Sequence, residues 1–315
     1  MIVLQFIKKY NKEISIDWVV EESYKGLLEY HPDVNKVHAV NLKEVKKRMS
    51  LSLLFKELKR LHSIGTYDLV VDMQGLIKSA IISRIIKSDI TLGFDRFSSR
   101  ERLSTFFYNK TFNISYDKNV IQRNLELLNF VIDYPLSKKL IEDKVPFLYT
   151  AQNFIFKELS GIKKNILIIP GASNLSKRYS SLKLAELTLL LDANILVVWG
   201  NLEEKNLANE IKSLSRNVNV CSALSLNSLI SLVSKVDLVI GPDTGPTHMA
   251  WALNIPSITL FGSTPGYRNT FITNINQYLE SSSKVNPNKI DLTDNSIDEI
   301  KVSEILKLSE RLLRL

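Results

Sequence analysis

The chain predicts an α/β protein built from two parallel-sheet domains, and three observations carry that prediction. Short β-branched runs alternate with helical patterns along most of its length, the signature of β-α-β units. Its 315 residues exceed one typical compact domain, so two domains, 1–150 and 151–315, are expected. Apolar residues make up 45% and charged residues 23%, which is enough to fill two cores and argues against wholesale disorder.

The first element is helical. Ile2, Val3, Leu4, Phe6, Ile7 and Tyr10 recur at helical spacing with no N-cap residue ahead of them. Alpha/beta domains commonly open with a central strand and a glycine-containing turn, and that piece is expected to be missing here. Strands follow at "ISIDWVV" (14–20), "DLVVDM" (68–73) and "ITLGF" (90–94), with "LIKSAIISRII" (76–86) as an apolar-striped helix. The join between domains is expected within "YPLSKKLIEDKVPFLYTAQN" (134–153). Beyond it come strands "NILIIPG" (165–171), "NILVVWG" (194–200), "NVNVCS" (217–222), "DLVIGPD" (237–243) and "SITLFGS" (257–263). Helices are expected between them, around 181–192, 203–214, 225–235 and 245–253, and a last helix is expected to pack back on the first domain. Two such sheets, each with its sites at the strand C-terminal ends, would face one another across a cleft.

Charge and composition narrow the partners. A net charge of +8 and a pI near 9.3 favour an acidic partner: nucleic acid, anionic lipid or a phosphorylated substrate. The densest basic segment, "LKEVKKRMSLSLLFKELKR" (42–60), carries Lys43, Lys46, Lys47, Arg48, Lys56, Lys59 and Arg60 against Glu44 and Glu57. It reads either as a solvated helix face or as an anion-facing surface. No nucleic-acid module is present. The single cysteine, Cys221, excludes an internal disulfide and fits a reducing compartment. No apolar run is long enough to span a membrane, and the start has no secretory pattern. His31, His38, His62 and His248 show no metal-ligand spacing, so no metal is expected. Neither a Walker loop nor a Gly-x-Ser-x-Gly elbow occurs.

The strand-to-helix turn "GPDTGPTH" (241–248) is the sharpest chemical signal. Gly241 and Gly245 permit a tight turn and close approach of a ligand. The amides of Thr244 to Thr247, at the positive end of a helix, form an anion site. Asp243 would cap the helix or accept from a ligand hydroxyl, and His248 would donate to a phosphate oxygen. The loop "PGASNLSKRYS" (170–180) offers Ser173, Ser176, Lys177 and Arg178 at another strand end. A cation there would neutralise charge building on a phosphate leaving group. Glu203 and Glu204 open the helix after "NILVVWG", serving either its dipole or a ribose.

Together with "DWVVEE" (17–22), "DMQGLIKSA" (72–80), "SRERLSTFFYN" (99–109), "SKRY" (176–179), "WGNLEE" (199–204) and "DTGPTHMAWAL" through "ITLFGSTPG" (243–266), these motifs resemble the ADP-heptose glycosyltransferase family. The resemblance implies a two-domain GT-B fold. The C-terminal domain would hold ADP-heptose, and the N-terminal domain would hold a Kdo residue on lipid A. It implies a single inverting displacement needing no metal or cofactor. By position, Ser173, Lys177, Glu204, Asp243, Thr244, Gly245 and His248 would bind the donor. Lys177 would neutralise the leaving diphosphate and Glu204 would bind the ribose. Arg100, Lys46, Lys47, Arg48, Asp72 and Gln74 would meet the acceptor.

The family's general base is an Asp directly after the first strand, and the chain reads as the family minus roughly 15–20 residues, one strand plus a turn. Impaired catalysis is therefore expected, and Asp72 and Asp95 more readily brace loops than replace that base. A second heptosyltransferase with another acceptor, another ADP-sugar transferase, or a catalytically impaired sugar-nucleotide binder are the alternatives. The implied setting is cytoplasmic, as a monomer at the inner face of the inner membrane.

Overall fold

Helix Val3–Tyr10 forms where the opening periodicity placed it, burying Val3, Leu4 and Phe6. The computed structural model describes residues 1–133 and 137–314, in two units, Met1–Ile141 and Glu142–Leu315. Tyr134, Pro135 and Leu136 of the expected join lie outside the described residues.

The first unit holds two parallel sheets. One pairs β1 (Asp17–Glu21) with β2 (Lys36–Val40); the other runs β3 (Thr66–Val71), β4 (Lys87–Phe94) and β5 (Lys110–Phe112). The three expected strands are β1, β3 and β4. β2 and β5 escape the pattern because "KVHAV" and "KTF" are short, half-exposed and carry a polar residue for each apolar one or two. Helices Leu42–Arg48, Leu51–His62, Ile77–Ile85 and Val120–Ile132 complete the unit. Val40, Leu61, Ile82 and Ile86 form one apolar cluster, and Leu92, Phe94, Ile114 and Leu127 another.

The second unit contains one sheet of six parallel strands in the order β11-β10-β9-β6-β7-β8. Its strands are β6 (Asn165–Ile168), β7 (Asn194–Val197), β8 (Val218–Val220), β9 (Leu238–Pro242), β10 (Ser257–Phe261) and β11 (Asn276–Glu280). β6, β9 and β10 are buried at every residue, as strands covered on both faces must be. Helices Ser181–Leu190, Leu202–Leu214, Leu226–Val233 and Gly245–Ala252 fall in the expected intervals. The last helix, Val302–Leu313, buries Val302, Ile305 and Leu312 in this unit's own core.

The boundary lies after Ile141, upstream of the expected position 150, and the reason is visible in the segment between. Phe147 N donates to Ala252 O at 3.1 Å, and Phe147 meets Trp251 edge-on at 6.0 Å. Asn254 Nδ2 donates to Lys144 O at 2.9 Å, while Lys144 Nζ sits 4.3 Å over the Trp251 ring. Residues 142–148 are thereby part of the second core. Burial lowers the Lys144 ammonium to a pKa of about 8.

One topological fact positions the chemistry. The chain lays down β6, β7 and β8 in one direction, then crosses back to place β9 on the other flank of β6. Strand order reverses between β6 and β9, and open α/β sheets bind ligands beyond the carboxyl ends at such a reversal.

Candidate functional site

The loops leaving β6 and β9 carry the two sharpest sequence signals, and the fold sets them side by side. After β9, Asp243 turns the chain into helix Gly245–Ala252, with Thr244 extended at the N-cap and making no side-chain cap. First-turn amides lack intrahelical acceptors. Pro246 has no N–H, so it falls out of the expected Thr244–Thr247 series and leaves Thr244, Gly245 and Thr247 to face an anion. Gly241 is required on packing grounds: a Cβ there would sit 2.7 Å from Ile169 Cβ on the neighbouring strand end. Thr247 Oγ1 donates to Pro242 O at 2.9 Å and ties the turn to the helix.

Asp243 is 8% exposed and is the hub of the site. Its Oδ2 accepts from Lys177 Nζ at 2.7 Å, Thr264 Oγ1 at 2.9 Å and Asn269 Nδ2 at 3.2 Å. Its Oδ1 lies 3.0 Å from His248 Nε2. Burial opposes the charge on Asp243, but hydrogen bonds and cations from His248 and Lys177 outweigh it and hold the carboxyl well below the ordinary carboxylate range. Both carboxylate oxygens are thus engaged by the protein. Asp243 holds Lys177 and His248 in place, and the helix cap the sequence suggested for it falls to Thr244. Thr264 and Asn269 had no sequence signal of their own, since neither residue type is diagnostic in a loop.

The β6 loop is braced from beneath. Ser176 is buried, and Ser263 Oγ donates to its backbone and side-chain oxygens at 3.2 and 3.0 Å. Arg178 is not the second available cation: its Nη2 donates to Glu203 Oε2 at 3.1 Å and its Nε to Ala172 O at 3.1 Å. Ser173 is exposed at the tip of the same loop. Glu204 Oε2 accepts from Gly200 N at 2.7 Å, and the carboxylate lies directly over Gly171, where a Cβ would come 2.3 Å from Glu204 Cδ. Ser173, Lys177, Glu204, Asp243, Thr244, Gly245 and His248 therefore all stand at the strand ends around one reversal.

The residues expected to face an acceptor divide differently. Asp72, Gln74 and Arg100 share the C-terminal end of β3 and β4 in the first unit. Glu101 N donates to Gly75 O and Ile77 N to Glu101 Oε2, which joins the two loops. Gln74 and Arg100 are exposed there. Asp72 is buried and accepts from Gln74 N at 2.8 Å, Ser79 Oγ at 2.7 Å and Tyr108 Oη at 2.7 Å. It braces the turn, as Asp95 does through Ser98 and Asn113. Tyr108 reaches Asp72 only because Gly93 has no Cβ, which would lie 2.3 Å from the ring. Burial, reinforced by Asp72, raises the Tyr108 hydroxyl far above its ordinary range and keeps it a donor. Lys46, Lys47 and Arg48 lie apart from these, exposed on helix Leu42–Arg48.

Comparison with known proteins follows the geometry. The model of glycosyltransferase family 9 (heptosyltransferase) matches residues 54–294. Lipopolysaccharide heptosyltransferase 1 of Campylobacter coli is 39% identical, over 99% of this chain and 94% of that protein. Two solved structures share the fold. E. coli heptosyltransferase WaaC with ADP has a TM-score of 0.79 at 21% identity, covering 99% of this chain and 94% of that one. The glycosyl transferase family 9 structure from Veillonella parvula has a TM-score of 0.82 at 16% identity, covering 99% and 92%.

Proposed function

Because the chain belongs to glycosyltransferase family 9, the heptosyltransferase family, we propose that it moves heptose from ADP-heptose to a Kdo residue of the lipopolysaccharide inner core. The observation that carries this reading is the Lys177–Asp243 pair across the β6/β9 reversal. The diphosphate lies against the amides of Thr244, Gly245 and Thr247, where the helix dipole favours an anion. As the anomeric bond breaks, negative charge grows on the departing ADP. Lys177 turns its ammonium from Asp243 to that oxygen, and the other donors on Asp243 keep its carboxylate in place. This is preorganised electrostatic stabilisation of a leaving group. The displacement is inverting and runs without a metal or cofactor. It takes place at the cytoplasmic face of the inner membrane, where a Kdo-lipid A acceptor is presented. His248, on the other oxygen of Asp243, donates to the donor's phosphate side.

Glu204 holds the ribose. Gly200 N occupies Oε2 and leaves Oε1 to accept from a sugar hydroxyl. Gly171→Ala tests this without replacing Glu204 itself. The added methyl displaces a flexible carboxylate arm rather than backbone. A loss of about tenfold in ADP affinity is expected from the lost charged hydrogen bond, with little change in melting temperature. Unchanged affinity by calorimetry would remove Glu204 from the ribose site.

The direct test supplies ADP-heptose with Kdo-lipid A, or with the same acceptor already carrying one heptose, and follows product by mass spectrometry. A heptosylated product from the first acceptor alone is the expected result. Product from the second acceptor alone would instead assign the later transfer of the pathway. ADP release with no heptosylated product would overturn the reading.

A further inference from the structure

The elbow between helices Leu42–Arg48 and Leu51–His62 exposes large apolar side chains that the sheet chemistry does not use. Met49 is 88% exposed, Leu51 81% and Phe55 70%. The elbow is a built feature. Met49 adopts a left-handed conformation with φ +48°, and Ser50 N donates to Val45 O at 3.3 Å. Ser50 Oγ then caps the second helix by accepting from Leu53 N at 3.3 Å. The far end of that helix is anchored by Leu61, which is 0% exposed. Leu51 and Phe55 are one turn apart and so share a face.

Charge surrounds these residues on both sides. Arg48 is neutralised by Glu44 and Arg60 by Glu57. Lys46, Lys47, Lys56 and Lys59 are exposed, and among the described residues none of them has a carboxylate within salt-bridge distance. An apolar tip flanked by unpaired cations has a defined physical complement: an apolar layer beneath an anionic surface. A bilayer with acidic headgroups offers both at once.

We propose that this elbow is a membrane-docking element, with Met49, Leu51 and Phe55 entering the interface of an anionic phospholipid bilayer while Lys46, Lys47, Lys56 and Lys59 meet its headgroups. The inference extends the proposed function, because it brings the protein to the surface where a glycolipid acceptor resides. It is nevertheless measured without donor or acceptor, so the two readings fail separately.

Co-sedimentation uses vesicles of phosphatidylcholine alone and of phosphatidylcholine with phosphatidylglycerol. The protein is expected to partition onto the anionic vesicles only, and raised salt should weaken it. Each Lys→Gln change at Lys46, Lys47, Lys56 or Lys59 should lower the partition coefficient about fivefold. The triple change Met49→Ser, Leu51→Ser, Phe55→Ser should lower it at least about tenfold. As all three residues are exposed, the melting temperature should hold. A Phe55→Trp variant gives an independent readout: its added emission should shift to the blue and be quenched by brominated lipid in anionic vesicles. Failure of the protein to bind anionic vesicles overturns the proposal. So does full partitioning by the triple variant, which would mean adsorption by charge alone. Added emission that stays unquenched when the Phe55→Trp protein is bound does the same.

Discussion

Heptose transfer by a Lys177→Met protein is expected to fall about a hundred- to a thousand-fold, the usual cost of removing one preorganised donor aimed at a developing negative charge. The geometry makes this a rate effect first. In the free protein the ammonium is 2.7 Å from Asp243 Oδ2, so it is held at the reversal before any donor arrives. Its contribution grows as charge moves onto the departing diphosphate, which lowers kcat and kcat/KM together. Methionine keeps much of the stem volume. Asp243 also keeps Thr264, Asn269 and His248, so the fold loses less than in the next variant. Steady-state kinetics decide the matter. A raised KM with unchanged kcat would mean that Lys177 only binds the donor.

Asp243→Asn should lose both stability and activity. Removing one partner of a buried ion pair costs about 3–5 kcal/mol, because the remaining charge stays out of water without compensation. Here the amide also leaves one of its two positions an NH₂, which must face either the donors Lys177, Thr264 and Asn269 or the imidazole of His248. Sign follows from the depressed carboxyl. A carboxylate whose folded pKa lies below its unfolded value stabilises the fold fully above the unfolded pKa, and the effect is lost as pH falls through the folded one. The gap in melting temperature between the protein and Asp243→Asn should therefore be constant above about pH 5 and narrow below about pH 4. A gap that persists unchanged into acid would show that the charge of Asp243 contributes nothing to folding.

What the sequence made legible follows from burial. "NILI", "LVIG" and "SITLF" read as strands because both faces of a central parallel strand are covered and nearly every position is apolar or small. "KVHAV", "KTF" and "NQYLE" did not, since each has a strand on one flank only and mixes polar with apolar residues. The "DTGPTH" and "SKR" loops stood out through residue types that are rare together. Their relation to each other did not, because the Lys177–Asp243 contact joins positions 66 residues apart. Thr264 and Asn269 reach Asp243 from 21 and 26 residues downstream, with no local pattern to mark them. Arg178 reads as a free cation in the sequence, but Glu203, on helix Leu202–Leu214, holds it.

The reversal between β6 and β9 also governs when the proposed donor site can form during folding. Its walls belong to strands that become neighbours only after β7, β8 and their intervening helices have been laid down. The pocket is therefore a non-local, late-closing contact, absent from any partly assembled sheet that lacks β9. A nucleotide binding at that proposed site would recognise only the finished sheet, and by mass action it would deepen the native basin of the second unit.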